Sequence, residues 1–159
     1  METIPFLTQE DVSGLDAMLT DYLQKSEAML TVVIDRGGTV IAQLGNTDSV
    51  DITIIAALAA GSFAATKELA SRIGEKEFSA LYQQGQSRNI FMSAIDENTI
   101  IITIFGEKTT LGLVRFYTVN LSAQLVTFLK GIRKRDKSGH SFSLSESDID
   151  GSKIFATKA

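Results

Sequence analysis

Apolar positions recur along the chain with two periods, which separate the predicted helices from the predicted strands. Residues 8–25 place apolar side chains at three- and four-residue steps, after Thr8 and Asp11, a variant of the capping box. Short β-branched runs bounded by polar or glycine turns predict strands, and Gly37-Gly38 suits a tight hairpin. The predicted elements are a helix over 8–25, strands over 28–35 and 39–44, a helix over 51–73, strands over 78–84, 89–95 and 99–105, and a helix over 110–134.

This α-β-β-α-β-β-β-α order predicts one domain over residues 8–134, an α/β sandwich of the α+β kind. Five strands joined by short turns favour a mainly antiparallel sheet with helices on both faces. The strand at 99–105 is apolar on both sides, which is typical of a central, covered strand. The polar, serine-rich residues 135–159 are expected to form a flexible tail.

The helix over 51–73 gives the strongest indication of function, because its own side chains are apolar or small around most of its circumference. At 100° per residue, one face is predicted to pack on the sheet, and its members are Ile52, Ile55, Leu58, Ala59, Thr66, Leu69 and Ile73. The opposite face is a smooth small-residue patch that continues into polar residues: Ala57, Ala60, Gly61, Ala64, Lys67, Glu68 and Ser71.

We interpret this small-residue patch as a surface that a second polypeptide covers; the alternative is that the chain's own helices cover it. The next strand strengthens the first interpretation, because it has no Pro or Lys to block pairing at an edge. An edge strand beside such a helix would form a self-complementary, two-fold interface. Its predicted interface residues are Phe78, Ala80, Leu81 and Tyr82.

Composition narrows the function classes. The 159 residues are 44% hydrophobic and include no cysteine, which excludes disulfides and thiolate metal sites. The apolar stretch Ile52–Thr66 is shorter than a membrane span, and the first residues do not resemble a secretory signal, so we expect a soluble, cytoplasmic protein without stable membrane insertion.

Charge is unevenly distributed, although the net charge is only −4. Residues 1–129 carry 8 basic against 15 acidic side chains, which argues against a nucleic-acid partner. We interpret the later basic cluster as a solvated helix end matched to the helix dipole; contact with a membrane or an acidic partner is the alternative. The cluster consists of Lys130, Arg133, Lys134, Arg135 and Lys137.

The usual catalytic residues are scarce, so we predict no catalytic, cofactor or metal site. The single histidine, His140, falls in the predicted tail. The loop 106–110 lies between a strand and a helix but lacks the first glycine of a phosphate-binding loop, and Glu107 would repel phosphate. Ser62 falls within a helix and lacks the second glycine of a nucleophile elbow. Association is the better-supported activity.

The element order, with the segments IIAALAAGSFAATKELASRIG, EFSALYQQGQSRNIFMSAID and TIIITIFGEKTTLGLVRFYT, resembles the Roadblock/dynein-light-chain domain, and its bacterial MglB-type members in particular. The resemblance implies a Roadblock/profilin-like fold and a homodimer in which the 78–84 strands pair and the 51–73 helices lie side by side. Family members form platforms for Ras-like small GTPases, and MglB-type members accelerate GTP hydrolysis without inserting an arginine finger.

Carried over to this chain, the resemblance implies a non-catalytic regulator of a Ras-like GTPase, for example in bacterial polarity or gliding motility. The platform would consist of the small-residue patch, and we interpret Arg72 and Arg88 as surface arginines rather than fingers. One alternative is an adaptor subunit of a larger assembly, with no effect on hydrolysis. A small-ligand sensor is a second alternative, and it would require an apolar internal cavity.

Overall fold

The structure is a computed structural model, and it describes residues 6–142. Its helices and strands follow the predicted order, with most ends within two residues of the prediction. They are α1 (Gln9–Ser26), β1 (Leu30–Asp35), β2 (Val40–Gly45), α2 (Ile52–Arg72), β3 (Ala80–Gln84), β4 (Asn89–Ala94), β5 (Thr99–Phe105) and α3 (Leu111–Phe142).

The five strands form one sheet in the order β2-β1-β5-β4-β3, and every neighbouring pair is antiparallel. All seven residues of β5 are buried, which confirms its predicted central position. Strands β2 and β3 are the two edges, so the prediction of an edge strand after the middle helix is also confirmed.

The sheet separates two apolar layers, one beneath α2 and the other beneath α1 and α3. Helix α2 packs over Val32, Met92 and Ile102, which point to one face of the sheet. Val33 and Ile101 point to the other face, where they meet side chains of α1 and α3. Alternation of side chains along β1 and β5 therefore supplies both layers. Among the described helices, α2 is the one that packs on its face of the sheet.

Local signals account for several of the correctly predicted element ends. The Thr8 side chain accepts a hydrogen bond from the backbone of Asp11, whose carboxylate accepts one from the backbone of Thr8, which completes the capping box of α1. Asp51 caps α2 by accepting from the backbone N–H of Ile54 at 3.2 Å. Gly38 adopts a φ of 91° in the β1–β2 hairpin, a conformation that favours glycine.

Helix α3 extends eight residues beyond the predicted end at 134, which corrects the start of the predicted tail. The backbone of His140 therefore continues the helix, and residues 143–159 lie outside the described residues. Two ion pairs hold the helix where the extension begins: Arg133 reaches Asp96 at 2.9 Å, and Arg135 donates to both carboxylate oxygens of Asp11. Polar composition misled the prediction, because a helix held by such pairs needs no apolar face.

These pairs also correct the interpretation of the basic cluster as a solvated helix end. Asp11 joins the N-terminal cap of α1 to the late part of α3, and its residue surface is only 6% exposed. The hydrogen bond from Arg135, reinforced by the backbone N–H of Thr8, lowers the pKa of Asp11 to about 2. The cluster is therefore divided: its two arginines are paired with acids, whereas its lysines are exposed.

A buried hydroxyl chain ties the α1–α3 layer to the sheet. The hydroxyl of Tyr22 lies 2.8 Å from that of Thr103 on β5 and 2.9 Å from that of Thr118 on α3. Thr118 donates to the carbonyl oxygen of Val114 at 2.7 Å, so it accepts from Tyr22 and Tyr22 in turn accepts from Thr103. Each hydroxyl proton thus has one acceptor, and these hydrogen bonds fix the positions of α1, β5 and α3 relative to one another.

Candidate interaction face on helix α2 and strand β3

Helix α2 is rotated by part of a turn relative to the prediction, so Ile52, Ile55 and Ala59 pack towards the sheet as predicted, whereas larger residues predicted beside them face outward. Its buried residues are Ala56, Ala59, Ala60, Phe63 and Ala70. Leu58 and Leu69, predicted to lie in the core, are 66% and 63% exposed. Ile73, from the same predicted core face, is 78% exposed, and Ile54 is 55% exposed.

Close approach of backbones explains why alanines occupy the inner face. A Cβ atom added to Gly38 would lie 3.1 Å from the Cα of Ala57 and 3.3 Å from the carbonyl oxygen of Ala56. The hairpin thus abuts the helix backbone, and no large side chain fits between them. Phe63 is the exception, and it fills the larger gap that remains near the end of the sheet.

Phe63 is the anchor of this helix. Its side chain is fully buried, its ring centroid lies 4.9 Å from that of Phe78, and the guanidinium of Arg36 stands 5.6 Å above it. Arg36 also donates to the carbonyl oxygens of Glu97 and Asp96, which holds its charge over the ring. Phe78, one of the predicted interface residues, is half-buried in this intramolecular contact and lies before β3 begins.

The outward side of α2 is a continuous apolar stripe. Ile54, Leu58, Gly61, Ala65 and Leu69 are all exposed and succeed one another at three- and four-residue steps. We call these five residues the α2 stripe. Aliphatic side chains grouped in this way on an exposed helix mark a surface that another molecule covers.

The predicted small-residue patch lies along one flank of the α2 stripe, with one correction. Gly61 belongs to the stripe and Ala57 and Ala64 are exposed beside it, whereas Ala60 is only 7% exposed and belongs to the core. Five predicted residues line a surface groove of about 660 Å³ whose opposite wall includes Lys76 and Phe78. Those five are Ala60, Ala64, Lys67, Glu68 and Ser71.

Strand β3 offers a free edge beside this helix, because its only partner among the described strands is β4. Leu81 packs with the layer beneath α2, while Ala80 and Tyr82 pack on the other side with Phe105. All three side chains are half-buried, as residues at an incomplete sheet edge are. The outward backbone N–H and C=O groups are available to another strand.

The polar residues of this region do not form a recognisable catalytic arrangement. Arg72 pairs with Glu68 one turn earlier, at 3.0 Å on the exposed surface, and Arg88 is exposed in the β3–β4 turn. Within residues 6–142, no group of three or more His, Asp or Glu side chains could hold a metal ion. The loop 106–110, considered above for phosphate binding, is a turn between β5 and α3.

Sequence reasoning missed the large exposed residues because it assigned them to the core. The helix was predicted at nearly its observed length, over 51–73, but only its uncharged part, Ile52–Thr66, was compared with a membrane span. By length and composition, Ile52–Arg72 meets the criterion for a membrane-spanning helix, contrary to the expectation from Ile52–Thr66. One such helix is weak evidence for a span, and here the alanine face and Phe63 pack against the sheet.

Comparison with known proteins identifies related folds. A sequence model of the Roadblock/LC7 domain matches residues 15–105. MglB of Myxococcus xanthus is 28% identical with a TM-score of 0.71, covering 75% of this chain and 97% of that protein. The gliding protein MglB of Thermus thermophilus is 25% identical with a TM-score of 0.74, covering 82% and 99%. A Schizosaccharomyces pombe profilin, 18% identical with a TM-score of 0.51, covers 70% and 95% and shares the fold alone.

Proposed function

Because the chain belongs to the Roadblock/LC7 domain family, we propose that it is a non-catalytic homodimeric platform that binds and regulates a Ras-like small GTPase. The observation that carries this proposal is the α2 stripe, whose leucines are about two-thirds exposed although the protein has a well-packed core. The resemblance to MglB-type proteins indicates the class of partner, and the exposed α2 stripe indicates which surface of the protein associates.

The dimer would be built from two features of this protomer, the free edge of β3 and the α2 stripe. Two copies of β3 would pair at their free edges into a continuous sheet, and two copies of α2 would then lie side by side. A two-fold axis brings the same surface of each copy together, so one apolar stripe covers the other. The small residues Gly61 and Ala65 within the stripe would allow the two helix backbones to approach closely.

The GTPase would bind on the small-residue flank and its groove. Lys67 and Lys76 stand at this groove without an ion-pair partner among the described residues, and Glu68 adds an acidic group. Such mixed charge at the rim of an apolar surface favours a specific protein partner. We place this activity in the cytoplasm of a bacterium, in polarity or gliding motility, on the strength of the MglB resemblance.

Light scattering after size exclusion, over a series of protein concentrations, tests the dimer. The wild-type chain should elute as a dimer, and Leu58→Asp should elute as a folded monomer, because it would bury a carboxylate against the partner's stripe. Ala64→Arg should weaken dimer or partner binding without unfolding the domain, since Ala64 is exposed. Val12→Asp is the matched control, because Val12 is a 44% exposed aliphatic residue on the other layer.

Single-turnover hydrolysis tests the regulatory activity. A Ras-like GTPase from the same organism, loaded with GTP, should hydrolyse faster with the wild-type chain and with Val12→Asp, but not with Leu58→Asp. If the chain binds the GTPase yet leaves hydrolysis and nucleotide exchange unchanged, the protein is an adaptor and the regulatory proposal is wrong. If Leu58→Asp stays dimeric, the stripe is not the dimer surface.

A further inference from the structure

Helix α3 presents a second exposed face, which the proposed dimer does not use. Its first half is apolar, with Phe116 and Val119 exposed by 60% and 66%. Its second half is cationic, with exposed lysines at positions 130, 134 and 137. Steps of three, four and seven residues place all of them on one side of the helix. We call this surface the α3 face, and its members in chain order are Gly112, Phe116, Val119, Ala123, Lys130, Lys134 and Lys137.

The lysines of the α3 face have no acidic partner within the described residues. The neighbouring arginines are committed elsewhere, Arg133 to Asp96 and Arg135 to Asp11. The nearest acid along α3, Asp136, accepts a hydrogen bond from the backbone N–H of Phe6. Because the arginines are paired and the lysines are not, the second half of the α3 face is a positively charged strip. The apolar first half of the same face lies in line with it.

The sequence that follows α3 has the complementary pattern in the reverse direction. Three acids, Glu146, Asp148 and Asp150, come soon after the helix, and the apolar pair Ile154-Phe155 follows them, flanked by Lys153 and Lys158. Three negative charges thus correspond to three lysines, and an apolar pair corresponds to Phe116 and Val119. A segment that reverses direction at the helix end would meet the lysines first and the apolar half second.

The lengths agree with this antiparallel arrangement. From residue 142 back to Val119 is about 35 Å along the helix, and to Phe116 about 39 Å, at 1.5 Å per residue. The thirteen residues from 142 to 155 span at most about 43–47 Å when extended. Ile154 and Phe155 can therefore reach Val119 with a few ångströms left for the turn, and the acids pass the lysines on the way.

We propose that residues 143–159 bind back along the α3 face of their own protomer, with the acids over the lysines and Ile154-Phe155 over Phe116 and Val119. Charge pairing alone is weak at an exposed surface, so the apolar pair is the anchor and the charges set direction and register. The segment shields the exposed aromatic side chain, and any external partner of α3 must displace it. This contact does not depend on GTPase binding.

Spin-label distances measure the contact directly, because the chain has no cysteine and two introduced ones are labelled uniquely. Gln124 is exposed on α3 outside the α3 face, so Gln124→Cys is paired with Ala156→Cys in the full-length protein. If the segment is bound to the α3 face, the two spin labels should show a narrow distance distribution at about 20 Å or less, of the order of a helix diameter plus the lengths of the labels. A free segment should give a broad distribution near 35 Å, since a flexible chain of fourteen residues extends about 20 Å beyond the helix end.

Charge reversal then tests the register. Lys130→Glu, Lys134→Glu and Lys137→Glu together should shift the distance to the broad distribution, as should Phe155→Ser alone. Adding Glu146→Lys, Asp148→Lys and Asp150→Lys to the lysine variant should restore the short distance. Lys67→Glu with Lys76→Glu, both exposed at the groove beside α2 on the opposite face of the sheet, is the control and should leave the distance short.

Two outcomes would overturn the proposal. One is a broad, long distribution in the wild-type background, which would mean that the segment does not bind the α3 face. The other is a short distance that disappears when labelled protein is mixed with excess unlabelled protein, which would mean that the segment binds another copy. Thermal melts of each variant identify any that fail to fold, and the Phe155→Ser variant leaves the described domain untouched.

Discussion

The rotation of α2 makes opposite predictions for two large apolar residues of that helix. Phe63 is fully buried and Leu58 is 66% exposed, although a periodicity argument assigns Leu58 to the core. We consider Phe63→Ala and Leu58→Ala, both made in the Leu69→Asp background, which we expect to be monomeric because Leu69 belongs to the α2 stripe. In that background each substitution reports only on packing within one protomer.

The two costs follow from how much of each side chain its own protomer covers. Full burial of a leucine side chain stabilises a protein by about 1.5–3 kcal/mol. Only a third of Leu58 is covered, so Leu58→Ala should lower the free energy of unfolding by about 0.5–1 kcal/mol. Phe63→Ala removes a fully buried ring that contacts Phe78 and Arg36, so it should cost about 3–5 kcal/mol.

Urea denaturation followed by circular dichroism measures both values, with the slope of the transition as a check on two-state behaviour. In the wild-type background at high concentration, Leu58→Ala should cost more than in the monomer, because the partner would cover the remaining two-thirds. Equal costs for Leu58→Ala and Phe63→Ala in the monomeric background would refute the orientation of α2. A cost of Leu58→Ala that is independent of concentration would refute the stripe as an interface.

Two further predictions concern the α1–α3 layer. Tyr22→Phe leaves the hydroxyl of Thr103 without its acceptor and removes the donor to Thr118, so it should cost about 1–3 kcal/mol in urea denaturation; the outcome against it is a neutral substitution. Asp11 has its folded pKa lowered from 3.8 to about 2 by Arg135, so its contribution to stability is present above about pH 4 and is lost as the pH falls towards 2. Arg135→Gln should therefore flatten the acid limb of a melting-temperature profile, whereas an unchanged profile would contradict the assignment.

Most of the fold could be predicted because local signals define its element ends. The capping box at Thr8 and Asp11, the cap at Asp51 and the glycine turn at Gly38 fix where helices and the first hairpin begin or turn. The end of α3 could not be predicted in this way. The continuation of α3 past the predicted end involves an ion pair between Arg135 and Asp11, which lies 124 positions earlier, and no local sequence pattern predicts such a contact.

The sequence indicates which helix carries the candidate site, but it does not indicate correctly which face of that helix is exposed. A helix such as α2, with apolar residues all around, gives little contrast for a periodicity argument. Ranking faces by size placed Leu58 and Leu69 inward, whereas the approach of the Gly38 hairpin to the backbone at Ala57 requires small residues there. The edge position of β3 was predicted correctly, although the absence of Pro or Lys indicates only that an edge strand there is free to pair.

The composition of α2 connects this packing to the proposed function. Alanines on the inner face keep the helix close to the sheet, and Phe63 is its fully buried large side chain, with Ile52 and Ile55 partly buried beside it. The aliphatic side chains on the outer face, in contrast, add little to the stability of the isolated protomer. A sequence gains little stability of its own from leucines in that position, and Glu or Lys would serve solubility better. Leu58 and Leu69 thus make physical sense as parts of an association surface, and the flank from Ala57 to Ser71 remains accessible for the GTPase once the stripe is covered.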